Sequence, residues 1–251
     1  MNPPSVKPGE DREPICTCLD WDSRFFERRI ARVNGGRLDE VKLSRILAWC
    51  KTNRIDCLYF LADSDDAQTS ALAEQNGFRL TDVRLTLERT LTQSAAPISP
   101  GERVRLARQG DLGALKEIAR TGHRDTRFYF DLHFERGKCD RLYETWIENS
   151  FNGFARAVLA AEVNAEPVGY ITCSLRGVES QAGLVGVADK YQGTGLGKQL
   201  VEAFLAWSAA QGARRATVVT QGRNVSAQRL YQRMGFVTAT VQLWYHRWFA
   251  G

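Results

Sequence analysis

Residues 189–198 read Asp-Lys-Tyr-Gln-Gly-Thr-Gly-Leu-Gly-Lys, with three glycines at alternate positions. The apolar run 184–187 precedes them, and an amphipathic segment begins at Leu196. This order predicts a strand, a glycine-rich turn and a helix. Unpaired backbone N–H groups converge at the start of such a helix, where the helix dipole favours an anion such as a pyrophosphate. Glycine clusters also form plain turns, so this pattern alone leaves both interpretations open.

The turn differs from two common phosphate-binding loops. A Walker loop would place Ser or Thr after Gly197-Lys198, where this chain has Gln199. A Rossmann fingerprint needs a βαβ unit with an acidic residue about twenty positions further on, and none is well placed here. An ATP-type loop or a dinucleotide fold is therefore not predicted.

Composition is ordinary for a soluble protein of 251 residues, with 43% hydrophobic and 25% charged residues. No apolar run approaches the roughly 20 residues that span a bilayer, and residues 1–5 lack the pattern of a secretory signal. The six cysteines are scattered without a CxxC pair, which predicts reduced packing thiols and no metal site. We therefore expect a cytoplasmic protein that does not bind membranes.

Charge is unevenly distributed along the chain. Residues 1–95 hold 14 Lys+Arg against 15 Asp+Glu, and residues 96–251 hold 20 against 14. The positive balance of the second part favours an anionic ligand there. Its longest basic block is Arg214-Arg215, so the pattern does not predict a nucleic-acid partner.

Segments with the composition of tails and linkers indicate how the chain is divided into domains. Residues 1–14 are rich in Pro and charge and predict a flexible tail, and residues 92–101 hold the best linker signal. The first domain, 15–91, is predicted to contain strands at 30–33, 57–61 and 78–91, with helices at 38–51 and up to Gln75. The second domain, 102–251, is predicted to run β-α-α-β-β-β-α-β-α-β and to end in a strand pair between Phe236 and Phe249.

Two motifs in the second domain resemble those of the GNAT superfamily of N-acetyltransferases. Residues 192–197, Gln-Gly-Thr-Gly-Leu-Gly, match the family's Gln/Arg-x-x-Gly-x-Gly/Ala loop. Residues 224–236 match its Asn-x-x-Ala-x-x-Leu-Tyr-x-x-x-Gly-Phe segment. The resemblance covers about residues 103–249 and implies an α/β (α+β) GNAT fold with a mixed central sheet and acetyl-CoA as acyl donor.

The same resemblance implies roles for particular residues. The pantetheine arm of acetyl-CoA would lie along the backbone of β-strand residues Val185, Gly186 and Val187. The residues expected at the pyrophosphate and the rest of the CoA arm are Gln192, Gly193, Thr194, Gly195, Leu196, Gly197, Lys198, Asn224 and Tyr231.

Tyr231 is the candidate general acid. A phenol with a pKa of about 10 stays protonated at neutral pH and can donate to the departing CoA thiolate. An isolated helical tyrosine more often only packs, but the motif around Tyr231 favours the chemical role. A backbone N–H of residues 185–187 would polarise the thioester carbonyl.

The sequence offers several candidates for the catalytic base that would accept the proton of the amine. Carboxylates and one histidine of the α-α region are candidates, and a chain of water to solvent without a dedicated base is the preferred alternative. The candidates are Asp125, Asp131, His133, Glu144 and Glu148.

Shorter strings resemble a subgroup, the TDP-fucosamine acetyltransferases. They begin at Leu19, Asp125 and Tyr143. The resemblance implies a dTDP-4-amino-4,6-dideoxyhexose as acceptor, as in the biosynthesis of enterobacterial common antigen. Arg127 or Arg124 would then meet the diphosphate, and Tyr129 or a neighbouring phenylalanine would stack on thymine. Plain packing of these aromatic residues is an equally open interpretation.

Two alternative functions complete the sequence-based hypotheses. The acceptor could instead be a peptide or protein α-amine, or the chain could be a noncatalytic acyl-CoA-binding module. A homodimer through the terminal strands is expected. The first domain ends a helix with Gly77-Phe78, as the second does with Gly235-Phe236, which predicts a partial GNAT-like half with Ala73 in place of Tyr231. An ordinary αβ unit with a glycine helix stop is the competing interpretation.

Overall fold

The computed structural model describes residues 14–91 and 103–249. Within them, the contacts divide the chain into a first unit of residues 14–80 and 244–249 and a second unit of residues 81–91 and 103–243. The predicted tail, apart from Pro14, and the predicted linker at 92–101 lie outside the described residues.

The first unit alternates short strands and helices. Its elements are β1 (Cys16–Cys18), α1 (Asp20–Phe26), β2 (Ile30–Val33), α2 (Glu40–Thr52), β3 (Cys57–Asp63) and α3 (Ala67–Gln75). Strand β2 pairs antiparallel with β1 and parallel with β3. The end of the last strand, β10 (Val237–Trp248), also belongs to this unit, where Tyr245 stacks on Phe60 at 6.3 Å between ring centroids. The result is a small α/β layer with a core of its own.

The second unit carries the larger sheet. Its elements are β4 (Arg79–Thr90), β5 (Val104–Leu106), α4 (Leu112–Gly122), α5 (Arg127–Phe130), α6 (Arg136–Asn149), β6 (Ala157–Val163), β7 (Glu166–Arg176), β8 (Glu179–Val187), α7 (Leu196–Ala210), β9 (Arg215–Gln221), α8 (Val225–Arg233) and the first part of β10. The strand order is β4-β9-β8-β7-β6-β5. All neighbouring pairs are antiparallel except β8 and β9, which are parallel.

Helices cover both faces of this sheet. A methyl group added at Gly169 would meet Leu200 of α7, whereas one added at Gly186 would meet Ile118 of α4 and Tyr170. Gly169 and Tyr170 are consecutive in β7 and so face opposite sides. Helix α7 therefore packs on one face, where Leu200 is fully buried, and α4 packs on the other.

Two features of the fold differ from the sequence-based expectations. The expected strand pair between Phe236 and Phe249 is wrong: β10 is one strand of twelve residues, and no Gly, Pro, Asn or Asp interrupts it to form a turn. The unit boundary also falls near residue 80, before the predicted linker, because β4 pairs with β9 over seven residues and so belongs to the sheet of the second unit.

The helix ends at Gly77 and Gly235 have the same geometry. Both glycines have positive φ, 79° and 78°. Phe78 N–H donates to Ala73 O at 3.1 Å, and Phe236 N–H donates to Tyr231 O at 3.0 Å. Ala73 thus holds the position that Tyr231 holds in the second unit. This local likeness agrees with the proposed partial repeat, which stays a prediction.

Candidate active site

The parallel strands β8 and β9 part in the middle of the sheet. They are paired from Glu179 and Arg215 only as far as Ala182 and Val218, although both strands continue. The unpaired ends, residues 183–187 and 219–221, line a cavity of about 1190 Å³. Residues of α6, α7 and α8, the N-cap Asn224, the turn 191–195 and the segment 122–126 form the rest of its wall.

The edge of β8 presents backbone N–H groups to this gap. Ala188 N–H donates to Val168 O of β7 at 2.9 Å, and Leu184 N–H donates to Thr172 Oγ1 at 2.8 Å. Because the direction of N–H groups alternates along a strand, those of Val185 and Val187 point away from β7 and toward the gap. This edge therefore offers hydrogen-bond donors to a ligand.

A bulge creates the parting of the strands. The register between β7 and β8 shifts between Ile171 and Cys173, so that two residues of β8, Gly183 and Leu184, lie opposite Thr172. The Thr172 hydroxyl takes the N–H of Leu184, which would otherwise lack a partner at the bulge. A methyl group on Gly183 would lie 2.7 Å from that hydroxyl, so the bulge requires glycine there.

The glycine-rich turn leads from β8 into α7. Gly193 and Gly195 have φ of 76° and 89°, which only glycine adopts without strain. Gln192 donates to Val187 O at 3.2 Å and to Asp189 Oδ1 at 2.9 Å, and Thr194 donates to Tyr191 O at 2.6 Å. Gly195 is the N-cap of α7 and supplies no side-chain cap, which leaves the first N–H groups of α7 available to an anion.

Basic side chains line the cavity beside this turn. Lys198 of α7 and Arg229 and Arg233 of α8 are exposed cavity residues, and the last two lie one helical turn apart. Lys198 has Glu202 as an ion-pair partner at 3.4 Å. The sequence-based hypothesis included Lys198 but missed both arginines. The four-residue spacing of Arg229 and Arg233, in a helix that ends before Gly235, could have predicted a basic helix face.

Tyr231 lies in the cavity wall on α8 and is 4% exposed. Its ring packs edge to face on Phe236, with centroids 6.0 Å apart. Within the described residues its hydroxyl makes no hydrogen bond, and burial raises the pKa of Tyr231. A protonated phenol without a protein partner is thus present in the cavity.

Asn224 also lines the cavity, but its side-chain oxygen caps α8 by accepting from Ala227 N–H at 3.0 Å. Capping typically contributes about 1 kcal/mol to a helix. Asn224 therefore has a structural role beside the predicted ligand contact.

His123 is a cavity residue that the sequence-based reasoning missed. It follows α4, is half-buried, stacks on Tyr143 with ring centroids 4.6 Å apart, and shares a hydrogen bond of 2.7 Å with Tyr170. Burial lowers the pKa of His123 to about 4. The sequence held one indication of this pair. Tyr170 lies within the apolar segment 168–173, and a buried tyrosine hydroxyl usually needs a polar partner.

Of the five base candidates, only Asp125 lines the cavity. Asp131 accepts from His133 at 2.8 Å, Glu144 faces Arg120 at 3.8 Å, and Glu148 pairs with Lys116 at 2.9 Å. These four groups make local hydrogen bonds or ion pairs, and none of them lines the cavity.

The two predicted sugar-nucleotide residues also lie outside the cavity lining. Tyr129 is buried and donates to Asp140 at 2.5 Å, and the Arg127 guanidinium stacks on Phe128 at 4.2 Å from the ring centroid. The geometry supports their packing role, which the sequence had left open, rather than contact with a ligand in this cavity.

Among the described residues, no cluster of His, Cys, Asp or Glu has the arrangement of a metal site. Over the same ranges, none of the helices combines the length and apolar character needed to cross a bilayer.

The splayed parallel strands, the glycine turn at a helix start and the flanking helices together define the GNAT fold. Residues 121–236 match the model of the acetyltransferase (GNAT) family. This match and the solved structures described next confirm the predicted GNAT fold class.

Solved structures agree on the fold. A GCN5-related N-acetyltransferase from Sphaerobacter thermophilus aligns with a TM-score of 0.67 and 16% identity, over 93% of this chain and 76% of that one. A tandem GNAT protein from the clavulanic acid biosynthesis pathway aligns with a TM-score of 0.57 and 13% identity, over 88% of this chain and 76% of that one.

Two curated proteins are more similar in sequence. The spore coat polysaccharide biosynthesis protein SpsD of Bacillus subtilis (strain 168) is 32% identical over 139 residues, which is 55% of this chain and 48% of SpsD. The mycothiol acetyltransferase of Streptomyces griseus subsp. griseus is 32% identical over 127 residues, 47% of this chain and 39% of that protein. This chain thus matches about half of the first relative's length and less of the second.

Proposed function

We propose that this protein is an acetyl-CoA-dependent N-acetyltransferase that acts on the amino group of a small molecule. The observation that carries the proposal is one cavity that combines the free β8 edge, the uncapped start of α7 and the Tyr231 hydroxyl. Each part suits a different portion of acetyl-CoA or a different step of acyl transfer.

Acetyl-CoA would lie in the gap between β8 and β9. Its pantetheine amides suit the backbone groups of Val185 and Val187, which lie on either side of Gly186 and point into the gap, and its pyrophosphate suits the turn from Gln192 to Lys198. Lys198, Arg229 and Arg233 add positive charge for its phosphates. Asn224 is placed to meet the CoA arm with the amide group that its capping bond leaves available.

The reaction would be direct transfer in a ternary complex. A backbone N–H of Val185 or Val187 would stabilise the oxyanion that forms when the amine attacks the thioester carbon. Tyr231 would then give its proton to the CoA sulfur as the C–S bond breaks. The proton transfer is uphill, because the pKa of a phenol, about 10, exceeds that of a thiol, about 8.5, and burial raises the pKa of Tyr231 further. A hydrogen bond from the phenol still stabilises the developing thiolate.

For the acceptor we propose a dTDP-4-amino-4,6-dideoxyhexose, a nucleotide sugar of the kind used for enterobacterial common antigen. The short strings beginning at Leu19, Asp125 and Tyr143 support this class. The similarity to a protein named for polysaccharide biosynthesis is consistent with it. An acceptor site walled by His123, Tyr143 and Trp146 suits a sugar ring, which packs on aromatic faces. A cytoplasmic location and a homodimer accompany this proposal as expectations.

The test is an assay of CoA release and acetylated product with acetyl-CoA and a panel of amines. The panel contains dTDP-4-amino-4,6-dideoxygalactose, its glucose epimer, free amino sugars and peptides with free α-amines. Acetylation of a nucleotide sugar supports the proposal. Acetylation of the peptides alone would replace the acceptor class, and tight acetyl-CoA binding without transfer to any amine would favour a binding module.

A further inference from the structure

His123 and Tyr170 form a hydrogen-bonded pair beside the proposed thioester site. The His123 Nε2 and the Tyr170 hydroxyl are 2.7 Å apart, and the imidazole stacks on Tyr143. The two side chains come from the end of α4 and the middle of β7. The pair is therefore held from three elements, since Tyr143 belongs to α6.

The pair lies next to the segment that would polarise the carbonyl. A methyl group built on Gly186 would lie 2.8 Å from Cε1 of Tyr170, so the tyrosine ring packs directly on the middle of residues 185–187. His123 is hydrogen-bonded to Tyr170 and lines the same cavity as Tyr231. An amine approaching the thioester from the α4 face would meet the imidazole.

The imidazole has one nitrogen available for a ligand. Within the described part of the chain, His123 Nδ1 makes no hydrogen bond. Burial raises the pKa of Tyr170, which therefore remains a phenol and can accept a hydrogen bond from Nε2–H. In that tautomer Nδ1 carries a lone pair, and His123 is one of the residues that line the cavity.

We propose that His123 is the catalytic base, which accepts the proton of the acceptor amine at Nδ1, and that Tyr170 is a positioning residue that holds the imidazole through Nε2. This assignment rests on the proposed acetyltransferase function. It replaces the water chain that the sequence favours.

Acetyl transfer consists of an addition to the thioester and the elimination of CoA. The lone pair of the neutral amine forms the N–C bond, and the π pair of the thioester carbonyl moves onto its oxygen. His123 Nδ1 takes one N–H proton from the adduct. The oxyanion re-forms the carbonyl, the C–S pair leaves on sulfur, and Tyr231 protonates the thiolate. Solvent returns the proton from His123 to the Tyr231 phenolate, so the net products are the amide and CoA thiol.

The low basicity of His123 suits a proton transfer that follows formation of the N–C bond. A pKa of about 4 keeps the imidazole neutral at pH 7. The nitrogen of the adduct is far more acidic than a free ammonium, because its carbon also bears oxygen and sulfur. The other ionisable groups facing His123 are Tyr143 from α6, Tyr170 from β7 and Asp125 from the adjoining loop. Asp125 is exposed and is the competing candidate.

The test compares His123→Gln and His123→Ala with Asp125→Asn and the matched histidine control His133→Gln. Gln keeps the hydrogen bond to Tyr170 but cannot accept a proton. We expect His123→Gln to lower kcat about 100-fold with an unchanged Kd for acetyl-CoA, and added imidazole to restore part of the activity of His123→Ala. Tyr170→Phe should lower kcat about tenfold, with the loss smaller than in His123→Gln. His133→Gln should match the wild type, and circular dichroism confirms that each variant is folded.

The outcomes separate the two proposals. If the wild type acetylates an amine and His123→Gln matches its kcat, or if Asp125→Asn alone loses activity, the assignment to His123 is overturned. If His123→Gln does not fold, the imidazole rescue of His123→Ala decides, and absence of rescue in a folded, inactive His123→Ala counts against it. If the wild type acetylates no amine of the panel, the proposed function falls and the assignment falls with it.

Discussion

Tyr231 is the residue on which the proposed chemistry depends most. Tyr231 lines the cavity, and within the described residues its hydroxyl has no hydrogen bond to break before it meets the sulfur. We predict that Tyr231→Phe lowers kcat by about 100-fold, the lower end of typical acid catalysis, because it removes the proton donor without changing the packing on Phe236.

The measurement is steady-state CoA release together with acetyl-CoA titration. The Kd for acetyl-CoA should stay within about threefold, since one buried hydrogen bond is at stake. Tyr245→Phe is the matched control, because that hydroxyl bonds Glu74 in the first unit. Wild-type turnover by Tyr231→Phe would remove Tyr231 from the mechanism.

Arg229 and Arg233 carry a separate prediction about binding. Both are exposed and should attract the phosphates of CoA without touching the reacting atoms. Arg229→Ala and Arg233→Ala should each raise the KM for acetyl-CoA about two- to fivefold with kcat unchanged, as expected for exposed charge pairs. Salt should reduce the difference. Arg45→Ala, an exposed arginine on α2, serves as control; equal KM values for all three variants would contradict the phosphate contact.

Single residues were predictable where a motif fixed both type and spacing. Tyr231, Asn224 and the turn glycines were found because their order reproduces a family pattern, and all of them line the cavity. Thr194 and Leu196, which the same pattern supplied, do not line it. His123 was missed because its environment comes from β7 and α6, which are distant in sequence. Arg127 and Tyr129 were chosen because their residue types suit a diphosphate and thymine within the string that begins at Asp125; in the structure Arg127 stacks on Phe128 and Tyr129 donates to Asp140.

At the scale of elements, the bulge in β8 controls the gap that would hold acetyl-CoA. Thr172→Val has nearly the same shape but leaves Leu184 N–H without its acceptor. We predict that it lowers the free energy of unfolding by about 1–3 kcal/mol, the cost of an unsatisfied buried donor. Acetyl-CoA affinity should fall in parallel, because residues 185–187 lose their anchor.

Thr172→Ser is the matched control, since it keeps the hydroxyl and loses only a methyl group. Urea unfolding and acetyl-CoA titration of the two variants provide the comparison. If the valine variant is as stable as the serine variant and binds as tightly, the Thr172 hydroxyl does not hold the bulge.

Elements with a strong period and clear ends were predictable. Helix α7 was expected to begin at Leu196 and spans Leu196–Ala210, and β2 was expected with its observed bounds. The bulge was not predictable, because it depends on the register of β8 against β7. The short helix α1 went unpredicted since its seven residues bury only Phe26 and show little periodicity.

For the whole molecule, the pH dependence of stability tests the burial of His123. Its folded pKa of about 4 lies below the ordinary 6.5. As pH falls between these values, the unfolded chain gains a proton that the folded state does not bind, so the free energy of unfolding decreases. Asp82, with a pKa raised to about 6 chiefly by burial, acts in the opposite direction, because its ionisation above pH 4 disfavours the folded state.

The difference between wild type and His123→Gln isolates the histidine. We predict that the wild type loses up to about 3 kcal/mol more than the variant as the pH falls from about 6.5 to 4, measured by urea unfolding. Parallel pH profiles for both proteins would show that His123 is not buried as a neutral base.

The division into two units was only partly visible in the sequence. Composition placed a linker at 92–101, but pairing in a sheet decides to which unit a strand belongs, and β4 pairs with β9. The two helix ends share one geometry, and at the corresponding position the first unit has Ala73 where the second has the phenol of Tyr231.

The most direct measurement is release of CoA with formation of the N-acetyl product, using acetyl-CoA and dTDP-4-amino-4,6-dideoxygalactose or its glucose epimer. We predict equal amounts of CoA and acetylated sugar from the wild-type protein, and about 100-fold slower formation by Tyr231→Phe. Bound acetyl-CoA with no product from either sugar or any other amine would contradict the account.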